Sequence, residues 1–170
     1  MTNEITDINT LARPTYSLEL DADLWNEVLP NLWQGGTDDL DTIYDTVLES
    51  ESAFITKSDF DTVITAYAWA QPCDWLVKEI RYPFYDSDMK DLNIEELQSV
   101  ALLAHTDWKA GKKVLIRCQA GWNRSGLIMA LVLMREGYSA QQAIDLIRKQ
   151  RSKNALCNPR FVAWLLSLPN

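Results

Sequence analysis

Cys118, Arg124 and Ser125 carry the clearest chemistry in this 170-residue chain. Five residues separate the cysteine from the arginine, the serine follows at once, and Gly121 and Gly126 fall inside the segment. Ahead of it runs the aliphatic stretch Val114-Leu115-Ile116, and behind it an apolar pattern with helical spacing. A strand, a tight loop and a helix N-terminus in that order make a seat for an anion. The first turn of a helix offers backbone N–H groups without intrahelical partners and the positive end of the helix dipole. If the loop curls, the N–H groups of Gln119, Ala120, Gly121, Trp122, Asn123, Arg124 and Ser125 converge as an anion nest, with glycine allowing the curvature. The guanidinium of Arg124 adds a planar fork able to hold two oxygens of a phosphate.

The same electropositive cup favours the thiolate form of a cysteine. Cys118 is therefore expected to attack phosphorus in line and to form a phosphocysteine that water then hydrolyses. The Ser125 hydroxyl is placed to hydrogen-bond the sulfur and ease its departure in the second step. The leaving oxygen needs a proton, and a carboxylic acid on a loop is the economical donor.

The segment resembles the cysteine-dependent protein phosphatases, in particular the small dual-specificity-like branch. Their signature is His-Cys-x-x-Gly-x-x-Arg-Ser/Thr, which Cys118, Gly121, Arg124 and Ser125 match. Arg117 stands where the family has its histidine, so it either substitutes with its own charge or points elsewhere. The resemblance places the general acid on a loop after the strand ahead of the cysteine, in the stretch Arg81 to Leu92. Pro83 ends that strand. Asp86 follows at the family's distance and is the chosen acid, Asp88 is the alternative, and Asp91 is read as a charge at a helix start. Leu29 to Gly35 looks like the family's opening strand, Phe60 to Thr65 like its first buried parallel strand, and Asn158-Pro159-Arg160-Phe161 like the start of its last helix.

The elements that must position these residues alternate strand and helix. Helices are expected over Asp38–Glu49, from Asn93 to about Ala110 behind a capping-box pattern with Glu96, over Arg124–Glu136, from Ser139 to about Arg151 behind Ser139/Gln142, and from Asn158 onward. Strands are expected over Asp61–Tyr67, Leu76–Tyr82 and Val114–Arg117. The fold class that follows is α/β, a central and mostly parallel sheet flanked by helices, with Cys118 beyond the carboxyl end of the central strand. Residues 1–27 read as an N-terminal arm or cap and 28–170 as a single phosphatase-like catalytic domain.

Charge is divided along the chain. Residues 1–108 hold 22 acidic and 5 basic side chains, and residues 109–170 hold 2 acidic and 11 basic. The basic part contains the proposed phosphate loop, and the acidic part disfavours general nucleic-acid binding. The partner expected is a phosphorylated protein or peptide. Lys149, Arg151 and Lys153 are either part of that field or a solvated helix end. Arg148 and Arg151 are either support for the loop's carbonyls or surface residues.

No apolar run is long enough for a transmembrane helix, and Met1–Thr10 does not read as a secretory signal. Three cysteines without regular spacing are no disulfide scaffold, so a reducing, cytoplasmic location is expected. Cys73 and Cys157 read as bland thiols, with a disulfide to Cys118 on oxidation as the sharper alternative. Trp122 is expected at the pocket rim. His105 is the only histidine and cannot build a metal site; no metal and no cofactor are expected. The leading reading is hydrolysis of protein phosphotyrosine, extending to phosphoserine and phosphothreonine. The alternatives are an RNA 5′-phosphatase of the same fold, which the Gly121–Gly126 segment also resembles, and a non-catalytic phosphoprotein-binding pseudophosphatase. A phosphoinositide phosphatase is disfavoured, because Gln119, Ala120, Trp122 and Asn123 are all uncharged.

Overall fold

Val114–Arg117 is buried at every position and forms the middle strand of a five-stranded sheet. The computed structural model describes residues 23–37 and 54–169. The helix expected over Asp38–Glu49 and the first 22 residues of the expected arm lie outside the described residues. In chain order the elements are β1 (Trp25–Leu29), β2 (Leu32–Gly35), β3 (Thr62–Thr65), β4 (Lys78–Arg81), a 3₁₀ turn (Met89–Asp91), α1 (Ile94–Lys109), β5 (Val114–Arg117), α2 (Arg124–Arg135), α3 (Ala140–Gln150) and α4 (Pro159–Ser167). The strand order is β1-β2-β5-β3-β4, with β1 antiparallel to β2 and the other neighbours parallel.

The expected opening strand Leu29–Gly35 is a hairpin instead. Trp25–Leu29 pairs back on Leu32–Gly35 through a turn at Pro30-Asn31, where Asn31 adopts φ 64° and its N–H donates to Glu27 Oε1 at 2.8 Å. Proline preceding an asparagine that tolerates the left-handed region is turn chemistry, and it splits the run. β1 thus begins at Trp25, inside the segment read as an arm.

Side chains alternate across β5, and the two faces bury different cores. Val114, Ile116 and Cys118 join one cluster with Leu32, Ile64 and the helices. Leu115 joins the other with Ile55, Phe60, Val63 and Val77. α2 is buried continuously from Ser125 to Leu133, as expected of a helix with no polar face, and α1, α3 and α4 pack around it. Each fully buried Leu or Ile here contributes roughly 2 kcal/mol of transfer free energy.

The start of α3 carries the full expected capping box, whereas that of α1 carries only its asparagine half. Asn93 accepts from the N–H groups of Glu95 and Glu96, and Ser139 and Gln142 form a reciprocal capping box. The pairing register aligns the carboxyl ends of the parallel strands in one row: Gly35 opposite Arg117, Arg117 opposite Thr65, Thr65 opposite Arg81. The loops that leave this row bring Gly36, Ala66, Tyr82 and Cys118 to the same edge of the sheet.

Candidate active site

The loop after β5 is held by its carbonyls. Gln119 O accepts from Thr37 N at 2.9 Å, Ala120 O from Arg151 Nη2 at 3.3 Å, and Trp122 O from Leu156 N at 3.2 Å. Gly121 O accepts from both Gln34 Nε2 at 3.1 Å and Arg151 Nε at 3.2 Å. In a planar trans peptide the N–H points opposite to the C=O. Four carbonyls turned outward therefore turn the N–H groups of Ala120, Gly121, Trp122 and Asn123 inward, toward the start of α2. Gly121 permits this with φ 74°, and a Cβ there would lie 2.4 Å from the carbonyl carbon of Gly35. Gly36 is equally confined, since its Cβ would meet Gln119 O at 2.6 Å. The second glycine of the Gly35-Gly36 pair thus has a part in shaping the loop that its place in the sequence did not announce.

Arg151 is the buttress. It is 6% exposed, and besides the two loop carbonyls it donates to Asp23 O and Asn26 Oδ1. Of the two readings of Arg151, support of the loop is the one the structure bears. Arg148 serves the next layer out, donating to Ala155 O and Leu156 O, and Leu156 in turn carries Trp122 O.

Cys118 is 2% exposed and its Sγ lies 3.3 Å from Ser125 Oγ. Ser125 is fully buried in the first turn of α2. Arg124 stands over the Tyr67 ring at 5.2 Å and reaches Ala66 O, Phe84 O and Gln119 Oε1 at 3.4–3.5 Å. Contacts of that length are weak, so an anion replaces them at small cost. Arg124 and Gln119 border a cleft of about 420 Å³ whose other walls are Tyr67, Ala68, Trp69, Pro83, Phe84 and Tyr85. Trp122, expected at the rim, is half-buried and does not line this cleft.

Asp86 is held at both oxygens. Oδ2 accepts from Asn123 Nδ2 at 2.8 Å and Oδ1 from Asn158 Nδ2 at 2.7 Å. Asn123 belongs to the loop and Asn158 caps α4 while also donating to Asp86, so one carboxylate ties the loop after β4 to both. Asp88 has a different task. It caps the 3₁₀ turn through Lys90 N at 3.2 Å and pairs with Arg160 at 3.5 Å. Asp91 lies in that turn. The sequence marks Asn158 only as a helix start, but an asparagine amide has donors to spare once its oxygen caps a helix.

Arg117 points away from the loop. Its guanidinium donates to Thr65 Oγ1 at 3.0 Å, Gln71 O at 2.7 Å and Glu79 Oε1 at 3.2 Å, all on the Leu115 face of the sheet. Burial alone would raise Glu79, but hydrogen bonds from Thr65 and Cys73 N–H, with the charges of Arg117 and Arg81, hold its carboxyl below the usual range. Cys73 packs on that same face, and burial pushes its thiol up to about 11. Cys157 is exposed, its Sγ accepting from Asn123 Nδ2 at 3.3 Å. His105 contacts Glu136, the residue that closes α2, at 2.9 Å. No group of three or more His, Cys, Asp or Glu side chains able to hold a metal ion occurs among the described residues, and no helix among them is long and apolar enough to cross a membrane.

The family model for the catalytic domain of dual specificity phosphatases matches residues 44–170. Over 68 residues, 39% of this chain, the sequence is 41% identical to 123R of Invertebrate iridescent virus 6, a protein named as a tyrosine phosphatase; the matched part spans 47% of that protein's length. Among solved structures, human DUSP28 superposes with a TM-score of 0.64 at 21% identity, over 84% of this chain and 90% of that one. OH1 of Orf virus, described as a tyrosine phosphatase with triple substrate specificity, gives a TM-score of 0.59 at 17% identity over 84% of each chain. At such identities the two structures speak for the fold alone.

Proposed function

The chain belongs to the dual specificity phosphatase family, and we propose that it hydrolyses phosphate monoesters on proteins through a phosphocysteine at Cys118, phosphotyrosine foremost. One observation carries the reading: every carbonyl from Gln119 to Trp122 is bonded on the outside of the loop, which leaves an inward ring of N–H groups beside the sulfur. That ring and the Arg124 fork stabilise charge on the three phosphoryl oxygens as the bond to the leaving oxygen breaks. The Cys118 thiolate attacks phosphorus, and Asp86 gives its proton to the leaving oxygen. Asp86 then takes a proton from the attacking water, the sulfur–phosphorus bond breaks, and its electron pair returns to sulfur. The aromatic walls Tyr67, Trp69, Phe84 and Tyr85 above Arg124 suit an aryl phosphate, which favours phosphotyrosine over the smaller phosphoserine.

A nucleophilic thiolate implies a reducing, cytoplasmic setting, and the three cysteines are free of disulfides. The catalytic unit proposed is residues 28–170 extended to Trp25, where β1 begins. The deciding experiment compares native protein with Cys118→Ser on p-nitrophenyl phosphate, phosphotyrosyl, phosphoseryl and phosphothreonyl peptides and 5′-triphosphorylated RNA, with and without EDTA. Turnover of the phosphotyrosyl peptide that Cys118→Ser abolishes and EDTA leaves intact is the expected result. Undiminished turnover by Cys118→Ser would remove the cysteine from the mechanism, and turnover confined to RNA would replace the substrate class.

A further inference from the structure

Gln34 is a fully buried polar residue in β2, on the face of the sheet that otherwise carries Leu32 and the helical core. A leucine would fill such a position without polar atoms to satisfy, so the amide needs a reason. Its surroundings are specific. Nε2 donates to Gly121 O at 3.1 Å and faces Ser125 Oγ at 3.4 Å, and a Cβ on Gly126 would come within 3.4 Å of the same nitrogen. Its Oε1 is buried without a hydrogen-bond partner. The orientation of the amide follows from the carbonyl. Gly121 O accepts only, so turning the amide round would set two acceptors against each other 3.1 Å apart.

We propose that Gln34 is a positioning residue for the second chemical step, acting through Ser125. A hydroxyl has one hydrogen and two lone pairs. As a thiol Cys118 donates to Ser125 Oγ at 3.3 Å, but a thiolate can only accept; with the Gln34 N–H directed at the Ser125 oxygen, the Ser125 hydrogen is then turned toward Cys118 Sγ. This rests on the reading of Cys118 as the nucleophile. In that step water forms the new oxygen–phosphorus bond, its proton goes to Asp86, the sulfur–phosphorus bond breaks, and the electron pair stays on sulfur. The Ser125 O–H stabilises the emerging thiolate without giving up its proton. In the first step the thiolate is consumed rather than formed, so the same hydrogen bond gives no gain there. Gln34 thus assists breakdown of the phosphocysteine and not its formation.

The test is rapid-mixing kinetics on p-nitrophenyl phosphate with Gln34→Met, Ser125→Ala and the double variant, methionine matching glutamine in length without its polar atoms. A hydrogen bond to an ionised group, once lost, lowers a rate by roughly tenfold. Gln34→Met is expected to lower kcat by about that factor and kcat/KM by much less, because Arg151 Nε still holds Gly121 O once the glutamine N–H is gone, so a nitrophenol burst appears and phosphoenzyme accumulates. In the Ser125→Ala background Gln34→Met should change kcat by less than about twofold, because the hydroxyl it orients is gone. A packing defect would instead lower both parameters and add to the effect of Ser125→Ala, and that result overturns the proposal. So does an unchanged lifetime of trapped phosphoenzyme in Gln34→Met. Failure to trap any phosphoenzyme in Ser125→Ala is a separate outcome that takes down the reading of Cys118 and the proposal with it. Should Gln34→Met not fold, the side-chain amide resonances of Gln34 decide in native protein and Ser125→Ala: a shift between the two is expected, and identical resonances overturn the contact.

Discussion

Arg117 and Glu79 form an ion pair at 3.2 Å on the face of the sheet opposite the nucleophile's core, with their side chains 4% and 13% exposed. Glu79 Oε1 also receives Arg81 at 2.8 Å, and the two arginines bind the carbonyls of Ala68, Ala70 and Gln71. The pair therefore anchors the loop that presents Trp69, and it does so from the residue next to Cys118. Removing the carboxylate would strand a buried guanidinium, which costs more than the pair itself gains. Glu79→Gln is expected to lower stability by about 2–3 kcal/mol in urea unfolding. Turnover of p-nitrophenyl phosphate by the folded variant should stay within about threefold of native, since neither residue touches the loop. A large loss of kcat with unchanged stability would mean that Arg117 acts on Cys118 after all.

Asp86 and Asp88 are separable by leaving group. A general acid matters most when the leaving oxygen is basic. Asp86→Asn is expected to slow an alkyl phosphate or phosphotyrosyl peptide by roughly 10²–10³-fold and a dinitrophenyl-type aryl phosphate far less. Asp88→Asn should leave that dependence unchanged, because Asp88 caps the 3₁₀ turn and pairs with Arg160. A plot of rate against leaving-group pKa for each variant checks this. The same steepening in Asp88→Asn would move the acid.

The sequence made the phosphate loop legible because its chemistry is local. Cys118, Arg124, Ser125 and the helix behind them lie within one strand-loop-helix unit, and period and capping patterns place such units well. The supports were not legible, because each one crosses the fold. Gln34 lies 91 residues from the Ser125 hydroxyl it faces, and Asp86 lies 72 residues from Asn158. The direction of Arg117 depended on Glu79 arriving from β4, 38 residues away, which no pattern within β5 encodes. The hairpin at Pro30-Asn31 is legible in turn chemistry, since a proline before an asparagine at φ 64° splits the run from Leu29 to Gly35.

Arg151 offers a test of preorganisation. One guanidinium reaches Ala120 O, Gly121 O, Asp23 O and Asn26 Oδ1 through its several N–H groups. A lysine presents one nitrogen and cannot span them. Arg151→Lys is expected to weaken competitive inhibition by inorganic phosphate about tenfold, as the loop's carbonyls lose their fixed direction, and to lower Tm by several degrees. Inhibition curves against p-nitrophenyl phosphate together with thermal unfolding give both values. Unaltered phosphate affinity would show that the loop keeps its shape without this buttress.

Asp107 should govern acid stability. Its carboxylate, 9% exposed, accepts from Thr62 Oγ1 at 2.7 Å, Lys78 Nζ at 2.8 Å and Lys112 Nζ at 3.1 Å, tying α1 to β3 and β4. Burial would raise its pKa, but the hydrogen bonds from Lys78, Thr62 and Lys112 outweigh it and bring the carboxyl to about 2, against an ordinary 3.8. A pKa depressed by folding stabilises the native state above the unfolded value, and the gain is lost as pH falls through the folded one. The contribution is on the order of 2 kcal/mol at neutral pH, fading between about pH 4 and pH 2. Lys78 and Lys112 are 46% and 42% exposed, so Asp107→Asn leaves neither cation buried. The variant should therefore be less stable than native by about that amount at pH 7 and nearly equal to it at pH 2, read from urea unfolding across the range. A difference that stays constant down to pH 2 would assign the loss to packing rather than to the ion cluster.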